Sequence, residues 1–318
     1  MLTKKVLFMS AQPDVPYFHW QVEVMIHNFM KLGINPNWIE VLWAHNGQPS
    51  KELLAMTRKY PYVRFFHYPK SVANNFGYVP ILRPDILEQH FTRFPELRGE
   101  TIFYHDSDII FRAIPDFDSM NDDLYWYMSD TTSYIGADYI KSKSSELFNT
   151  LCNIVKVSPN IVESNQLNSG GAQQLLKCVN SNFWKTVKED ALMLYKYMSD
   201  IEANDRTKLT ALELETYNPI QKWCADMWAL LWGGLKIGAQ PRISTDLSFS
   251  WGTSSLIEYE KHNIMHNAGV TDNTNGTLFY KGEFINRNPF DSDFTLIDPN
   301  TASFKYVEAI LYAKEHRL

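Results

Sequence analysis

Over roughly the first hundred residues, short apolar runs alternate with segments whose apolar residues recur every three or four positions. That alternation is the pattern of a sheet built through crossover helices, and it constrains the fold more than any other feature of the chain. Residues 6–10, 38–43, 63–67 and 101–105 read as strands. Between the first two, Trp20, Val24, Met25, Asn28, Phe29 and Leu32 lie at helical spacing and end at Gly33, a helix stop. Ser50 is placed to cap a helix that reaches Tyr60, which Pro61 breaks, and Pro84 suits the first turn of a helix through Phe94. Residues 10–14 read as the loop after the first strand.

The pattern then changes. Residues 124–129 look like a strand, but from about Lys141 to Gly233 the chain reads as helix and loop, with short strands and turns from Leu235 onward. Asn218-Pro219 starts the clearest helix there, with Trp223, Met227, Leu230 and Leu231 on an apolar stripe. There is no fixed-period repeat, no low-complexity linker and no block of charge, so the expectation is one compact unit over residues 1–318.

With 318 residues, the length alone leaves one large α/β domain or two smaller ones open. The 45% hydrophobic and 14% aromatic content supplies a core and excludes a disordered tail or a fibrous repeat. A formal net charge of -6 argues against a broadly basic nucleic-acid coat while leaving room for a local basic groove. Cys152, Cys178 and Cys224 are an odd set with no close pair, which fits a reducing compartment better than a disulfide framework or a cysteine-rich zinc site. The apolar stretch after Met1 is too short for a signal peptide, and the run 227–232 is far short of a membrane span, so the expectation is a soluble, cytoplasmic protein with no membrane and no obligate protein partner.

The chemistry concentrates in Thr101-Ile102-Phe103-Tyr104-His105-Asp106-Ser107-Asp108-Ile109-Ile110-Phe111. A buried strand delivers two carboxylates, one residue apart, to its carboxyl end, where open α/β sheets hold their ligands. Two ionised carboxylates so close repel, and a divalent cation with oxygen ligands relieves the repulsion, its shell completed by a nucleotide diphosphate. The bland alternative is a solvated turn after an edge strand. The apolar residues on both sides of the pair weigh against it.

A nucleotide-binding α/β half that ends in a hydrophobic strand and Asp-x-Asp resembles the GT-A class of sugar-nucleotide glycosyltransferases. Three further segments, Tyr78-Val79-Pro80-Ile81-Leu82-Arg83-Pro84, Asn168-Ser169-Gly170-Gly171-Ala172-Gln173 and Trp223-Cys224-Ala225-Asp226-Met227, resemble the order found in the hydroxyproline O-arabinosyltransferase and peptidyl-serine galactosyltransferase group. His266-Asn267-Ala268-Gly269 is similar to the histidine motif that gives GT-A enzymes a third metal ligand. The likeness runs in order over roughly residues 1–285, with the Asp-x-Asp context and the Asn-Ser-Gly-Gly segment its most specific parts. It implies a Rossmann-like mixed sheet flanked by helices, a nucleotide-sugar-binding half at 1–115, and a mostly helical acceptor-side half at 116–318.

Position by position, the resemblance implies that Asp106 and Asp108 hold Mn²⁺ or Mg²⁺ against the diphosphate of a UDP-sugar, with Asp106 also near the ribose and His266 closing the metal site. An imidazole ligand favours manganese. Lys281 or Arg287 would neutralise the leaving diphosphate; either can equally be a surface cation. Ser10 and Gln12, in the loop after the first strand, would meet the nucleotide, with Gln12 reading uracil. Arg83 offers a directional fork to a phosphate or the donor sugar. Tyr78 belongs to the same donor set, although any one of 17 tyrosines is as readily a packing residue. Asn168, Gly170 and Gly171 would let backbone and an amide approach the sugar, and Gln173 would enter the pocket if a helix starts at Gly171; alternatively the glycines only begin that helix. Asp226, surrounded by Trp223, Met227 and Trp228, is the carboxylate for donor or acceptor sugar, since an unpaired buried carboxylate is costly. In a retaining transfer the leaving phosphate can take the acceptor proton, so Asp226 need not be a base.

Plant and algal members of the resembled group work behind a membrane anchor, which is not expected for this sequence, and that turns the expected acceptor away from a secreted peptide. An anchorless enzyme suggests a bacterial or viral source, and 5-hydroxymethylcytosine in phage DNA is the favoured acceptor, with arabinose one possible sugar. Arg93 and Arg98, or Lys141 and Lys143, would track the phosphates, and Trp126, Tyr134 and Trp251 would stack on a base or sugar. Rival readings are transfer to a peptide, glycan or lipid hydroxyl, or a degenerate carbohydrate-binding protein, which would not need the Asp106/Asp108 pair. A pyrophosphorylase would need a glycine-rich basic loop where residues 10–14 stand. A hydrolase would need more widely separated carboxyls than positions 106 and 108 give.

Overall fold

The computed structural model describes residues 4–72, 77–120, 122, 124–272 and 275–317. Its main sheet has seven strands in the order β3-β2-β1-β4-β7-β6-β8: β1 (Leu7–Pro13), β2 (Ile39–His45), β3 (Arg64–Pro69), β4 (Ile102–Tyr104), β6 (Tyr125–Asp130), β7 (Gly170–Leu176) and β8 (Gln240–Ile243). The second sheet, β5 (Ile109–Phe111), β10 (Ile264–His266) and β9 (Phe249–Trp251), has three strands in that order. This is the expected mixed α/β sheet flanked by helices.

Strands β1 to β4 are mutually parallel, and β7 runs against both β4 and β6. The crossovers carry α1 (Pro16–Lys31), α2 (Lys51–Lys59) and α3 (Leu82–Arg93). From β1 the chain steps outward to β2 and β3, then returns to add β4 on the other side of β1. That reversal opens a crevice at the carboxyl ends of β1 and β4, the place where such sheets bind ligands.

Local signals in the sequence account for much of this. Ser50 accepts a hydrogen bond from the Leu53 amide at 3.1 Å and caps α2, and Gly33 takes φ +85 just beyond α1. Along β4 the side chains alternate: Ile102 and Tyr104 join the core under α3 and the helix Ser181–Arg206, while Phe103 packs on the opposite face with Phe8, Phe29 and Phe111. A third apolar cluster seats the C-terminal helix Ala302–Glu315 on α1 through Trp20, Val24 and Tyr306.

Three local expectations are corrected. The first strand runs on to Pro13 rather than ending at Ser10, because its parallel pairing with β2 continues to Pro13↔Ala44 and buries the polar Ser10 and Gln12. Gly170 and Gly171 open strand β7, not a helix, because they pair antiparallel with Asp130 and Ser129 of β6, and from Gln174 on the strand is also paired to β4, which overrides the local signal. The tryptophan-bearing helix begins at Ala225, after a 3₁₀ turn at Lys222–Cys224, instead of at Asn218-Pro219. Asp226 therefore sits in its first turn.

Candidate active site

At the β1/β4 reversal lies a cavity of about 400 Å³, lined from β1 (Ala11, Gln12, Pro13), from β4 and the loop after it (Tyr104, Asp106, Ser107, Asp108), from β7 (Ala172, Gln174), and by Arg83, Asp226, His266 and Lys281. Its volume falls in the range of small-ligand sites.

Asp106 and Asp108 leave the carboxyl end of β4, and the chain then enters β5. Antiparallel pairing of β5 with β10 sets His266 opposite Ile109, and the Asn267 amide donates to the Asp108 carbonyl at 2.9 Å. This register brings His266 Nε2 to 3.2 Å from Asp108 and 3.6 Å from Asp106. One ligand atom from each of the three residues lies within 4.8 Å of the others. Behind His266, Trp251 stacks at 6.1 Å with rings 12° from parallel, and the Gln173 amide nitrogen is 3.3 Å from Nδ1. Such outer partners fix the orientation of a ligating imidazole. Two carboxylates and an imidazole make an oxygen-rich, borderline donor set that fits a divalent cation of the manganese or magnesium kind.

The carboxylates are balanced by cations of the chain. Lys281, at the start of a 3₁₀ turn, pairs with Asp108. Burial alone would push the Asp108 carboxyl up, but Lys281 and then His266 more than reverse it and hold the group well below the ordinary carboxylate range. Lys281 is raised in return: burial opposes its charge, and Asp108 and Tyr17 outweigh the burial. His105, with its ring buried against Phe29 and Phe103, is pushed down to about 4 by burial, so it is neutral near pH 7. Its Nδ1–H donates to the Asp106 carbonyl at 2.8 Å and steadies the loop.

Arg83, in the first turn of α3, spans two carboxylates: one terminal nitrogen pairs with Asp106 and the other lies 2.7 Å from Asp226. Burial disfavours the guanidinium charge, and Asp226 and Asp106 restore it with a large margin. Asp226 is held in turn by Tyr78, whose hydroxyl donates to Oδ1 at 3.0 Å and accepts from the Asp226 amide at 2.8 Å. Tyr78 is fully buried and stacked on Tyr195 at 4.1 Å. It supports the site from behind Asp226 instead of lining the cavity.

Of the residues named from the sequence, Asp106, Asp108, His266, Lys281, Arg83, Asp226 and Gln12 line one cavity. Gln173 stands just outside it, against His266. Several others are placed elsewhere. Ser10 is buried inside β1 and lines no part of the cavity. Gln12, although it lines the cavity, lies in the strand and not in a loop, and its amide nitrogen is spent on the Leu42 carbonyl at 2.8 Å. Asp14 ties the starts of α1 and α2 together through His19 and Ser50. Asn168 accepts from the Ile243 amide at 3.4 Å and lies outside the lining. Gly170 and Gly171 serve close packing: a Cβ would come within 2.3 Å of Met128 at the first and 2.5 Å of Met227 at the second. Arg287 is exposed, over Phe284. Trp126 is a core residue bonded to the Lys177 carbonyl. Arg93, Arg98, Lys141 and Lys143 do not line the cavity, and Lys141 and Lys143 are engaged by Glu163 and the Asn218 carbonyl.

The sequence reading missed Ala172 and Gln174, which carry the strand's contribution to the pocket, as well as Tyr104, Trp184 and Tyr17. The run Gly-Gly-Ala-Gln-Gln-Leu-Leu at 170–176 carries no period-2 alternation, so the sequence held no strand signal there. Tyr134, Trp251 and Trp223 form an aromatic rim; Trp223 is 53% exposed, unusual for so large an apolar side chain.

No family model and no curated protein matches the chain. Among solved structures it is similar to the bifunctional glycosyltransferase WbbM in its apo form, with 10% identity and a TM-score of 0.46, over 98% of this chain and 50% of that one. It is similar to the galactosyltransferase LgtC in complex with donor and acceptor sugar analogues, with 10% identity and a TM-score of 0.44, over 95% of this chain and 94% of that one. A third is the glycosyltransferase GlyE of Streptococcus pneumoniae, with 10% identity and a TM-score of 0.46, over 98% and 63%. The chain thus spans about half the length of the first of these. Among the described residues, no helix is long and apolar enough to cross a membrane.

Proposed function

We propose that the chain is a metal-dependent glycosyltransferase that moves a pentose or hexose from a UDP-sugar to an acceptor hydroxyl. The observation that carries this reading is the convergence of Asp106, Asp108 and His266 at the carboxyl end of β4, beside the Arg83–Asp226 pair and inside one cavity. Asp106, Asp108 and His266 hold the cation, which when bound supplies charge neutralisation for the diphosphate. On this reading the donor side draws Asp106, Asp108 and Arg83 from residues 1–115 and His266, Lys281 and Asp226 from residues 116–318, which also supply the acceptor side.

Lys281 is placed beside Asp108 to take over a phosphate charge as the bond to the sugar breaks. Arg83 and Asp226 hold the sugar. Because Asp226 is already engaged by Arg83 and Tyr78, it is better suited to orienting hydroxyls than to acting as a free base, which supports a retaining outcome in which the leaving phosphate accepts the proton. The acceptor reading is 5-hydroxymethylcytosine in DNA, its ring stacked on the rim of Trp223, Tyr134 and Trp251.

Asp108→Asn keeps the shape of the side chain and removes a ligand. It is expected to abolish manganese-stimulated hydrolysis of the UDP-sugar and metal-dependent UDP binding while the circular dichroism spectrum is kept. Full metal-stimulated turnover in the variant would overturn the metal assignment.

A further inference from the structure

The same cavity that is lined by Arg83 and Asp226 has a wall on the main sheet. Tyr104 and Gln174 are partners in the β4–β7 ladder and project from the same face. Trp184, from the first turn of the helix Ser181–Arg206, stands edge-on to Tyr104 at 5.6 Å, and Leu230 closes the wall.

This recess holds buried polar atoms with no partner in the protein: Trp184 Nε1, Gln174 Oε1 and Arg83 Nε. Trp184 is 1% exposed and Gln174 2%. Leaving such groups unpaired is costly, so a cluster of them at a cavity wall points to a ligand. Trp126 and Trp228, equally enclosed, give their N–H to backbone carbonyls at 3.0 and 2.8 Å. Trp43 and Trp232 are also unpaired, but neither lines this cavity.

The chemistry of the orphans narrows the ligand. An indole N–H only donates, and an amide oxygen only accepts. A hydroxyl, like the water it would displace, both donates and accepts and so answers both. A phosphate or carboxylate oxygen has no proton for Gln174, and a methyl group satisfies neither.

We propose that the recess reads a hydroxyl of the sugar being transferred, with Trp184 and Gln174 as its specificity-determining residues. The inference rests on the UDP-sugar reading above. On that reading Asp106 and Asp108 take the diphosphate, and Arg83, paired with both Asp106 and Asp226, connects that end of the cavity with the wall that carries Trp184 and Gln174.

The test is calorimetric binding in the presence of Mn²⁺ by the parent chain, Trp184→Phe and Gln174→Met, after thermal melting confirms that each is folded. The probes are UDP alone, a panel of UDP-pentoses and UDP-hexoses, and monodeoxy analogues of the tightest binder. In the parent, one deoxy analogue should bind about tenfold more weakly than its hydroxyl parent, the worth of one hydrogen bond. Each variant should lose that discrimination and about tenfold in donor affinity, with UDP alone within about twofold of the parent. Unchanged discrimination in a folded variant would overturn the proposal, as would an equal loss for UDP alone, which would assign the recess to the nucleotide. Failure of the parent to bind UDP at all with Mn²⁺ present would instead overturn the donor reading itself. If one variant does not fold, the other decides.

Discussion

Tyr78 shows how much of this site depends on residues that never touch the cavity. Its hydroxyl serves the Asp226 carboxylate and the Asp226 amide at once, so one oxygen fixes both the side chain and the start of its helix. Burial, reinforced by Asp226, drives the phenol far above its ordinary range, and it stays protonated and able to donate. Tyr78→Phe keeps the stack on Tyr195 and removes both bonds. Urea denaturation should show a loss of about 1–2 kcal/mol, and sugar transfer should fall more than manganese affinity does. Parent stability with parent transfer would return Tyr78 to simple packing.

At the level of elements, β7 does two jobs with alternate residues. Ala172 and Gln174 face the cavity, while Gln173 reaches His266 on the other side. Both jobs depend on how close β7 lies to β6, and the register shift between Met128 and Ser129 sits beside the two glycines. At Gly170 an added Cβ would meet the Met128 Cβ at 2.3 Å and the Ser129 carbonyl at 3.0 Å, atoms fixed by the neighbouring strand. At Gly171 the nearest atom is the end of the flexible Met227 side chain, 2.5 Å away. Gly170→Ala is therefore expected to cost about 1–3 kcal/mol and Gly171→Ala clearly less, as judged by melting temperature. The reverse order would mean that β7 and β6 are less closely fixed than described.

Across the whole molecule, α1, the end of α2 and Arg317 are joined by residues that do not line the cavity. Glu23 binds Lys59 at 2.5 Å and Arg317 at 3.1 Å, and Tyr60 links Glu23 to His27, 2.8 Å from the phenol. Burial lowers the His27 pKa from 6.5 to about 4, against Glu23, which raises it, and with Lys59, His316 and Arg317, which lower it further. The unfolded chain thus takes up this proton near pH 6.5 while the folded chain resists until about 4, so stability falls as pH drops through that window. His27→Gln should flatten the decline of denaturant-measured stability between those limits by about one proton's worth of slope. An unchanged slope would show that His27 charges freely in the folded protein.

The sequence by itself determined the parallel strand–helix alternation, the Ser50 cap, the Gly33 stop and the delivery of two carboxylates by a buried strand, because each is written in residues a few positions apart. Tertiary structure decided what those carboxylates meet. The β5–β10 register brings His266 from 158 positions beyond Asp108. Arg83 and Asp226 meet across 143 positions, and the recess needs β4, β7 and the helix Ser181–Arg206 together. Strand pairing also overrode local preference, making Ser10 and Gln12 interior and turning Gly170 and Gly171 from a helix start into a packing slot. Periodicity reports which face of an element is apolar. Only the closing of distant segments on one another fixes which polar atoms are paired and which are left to receive a ligand.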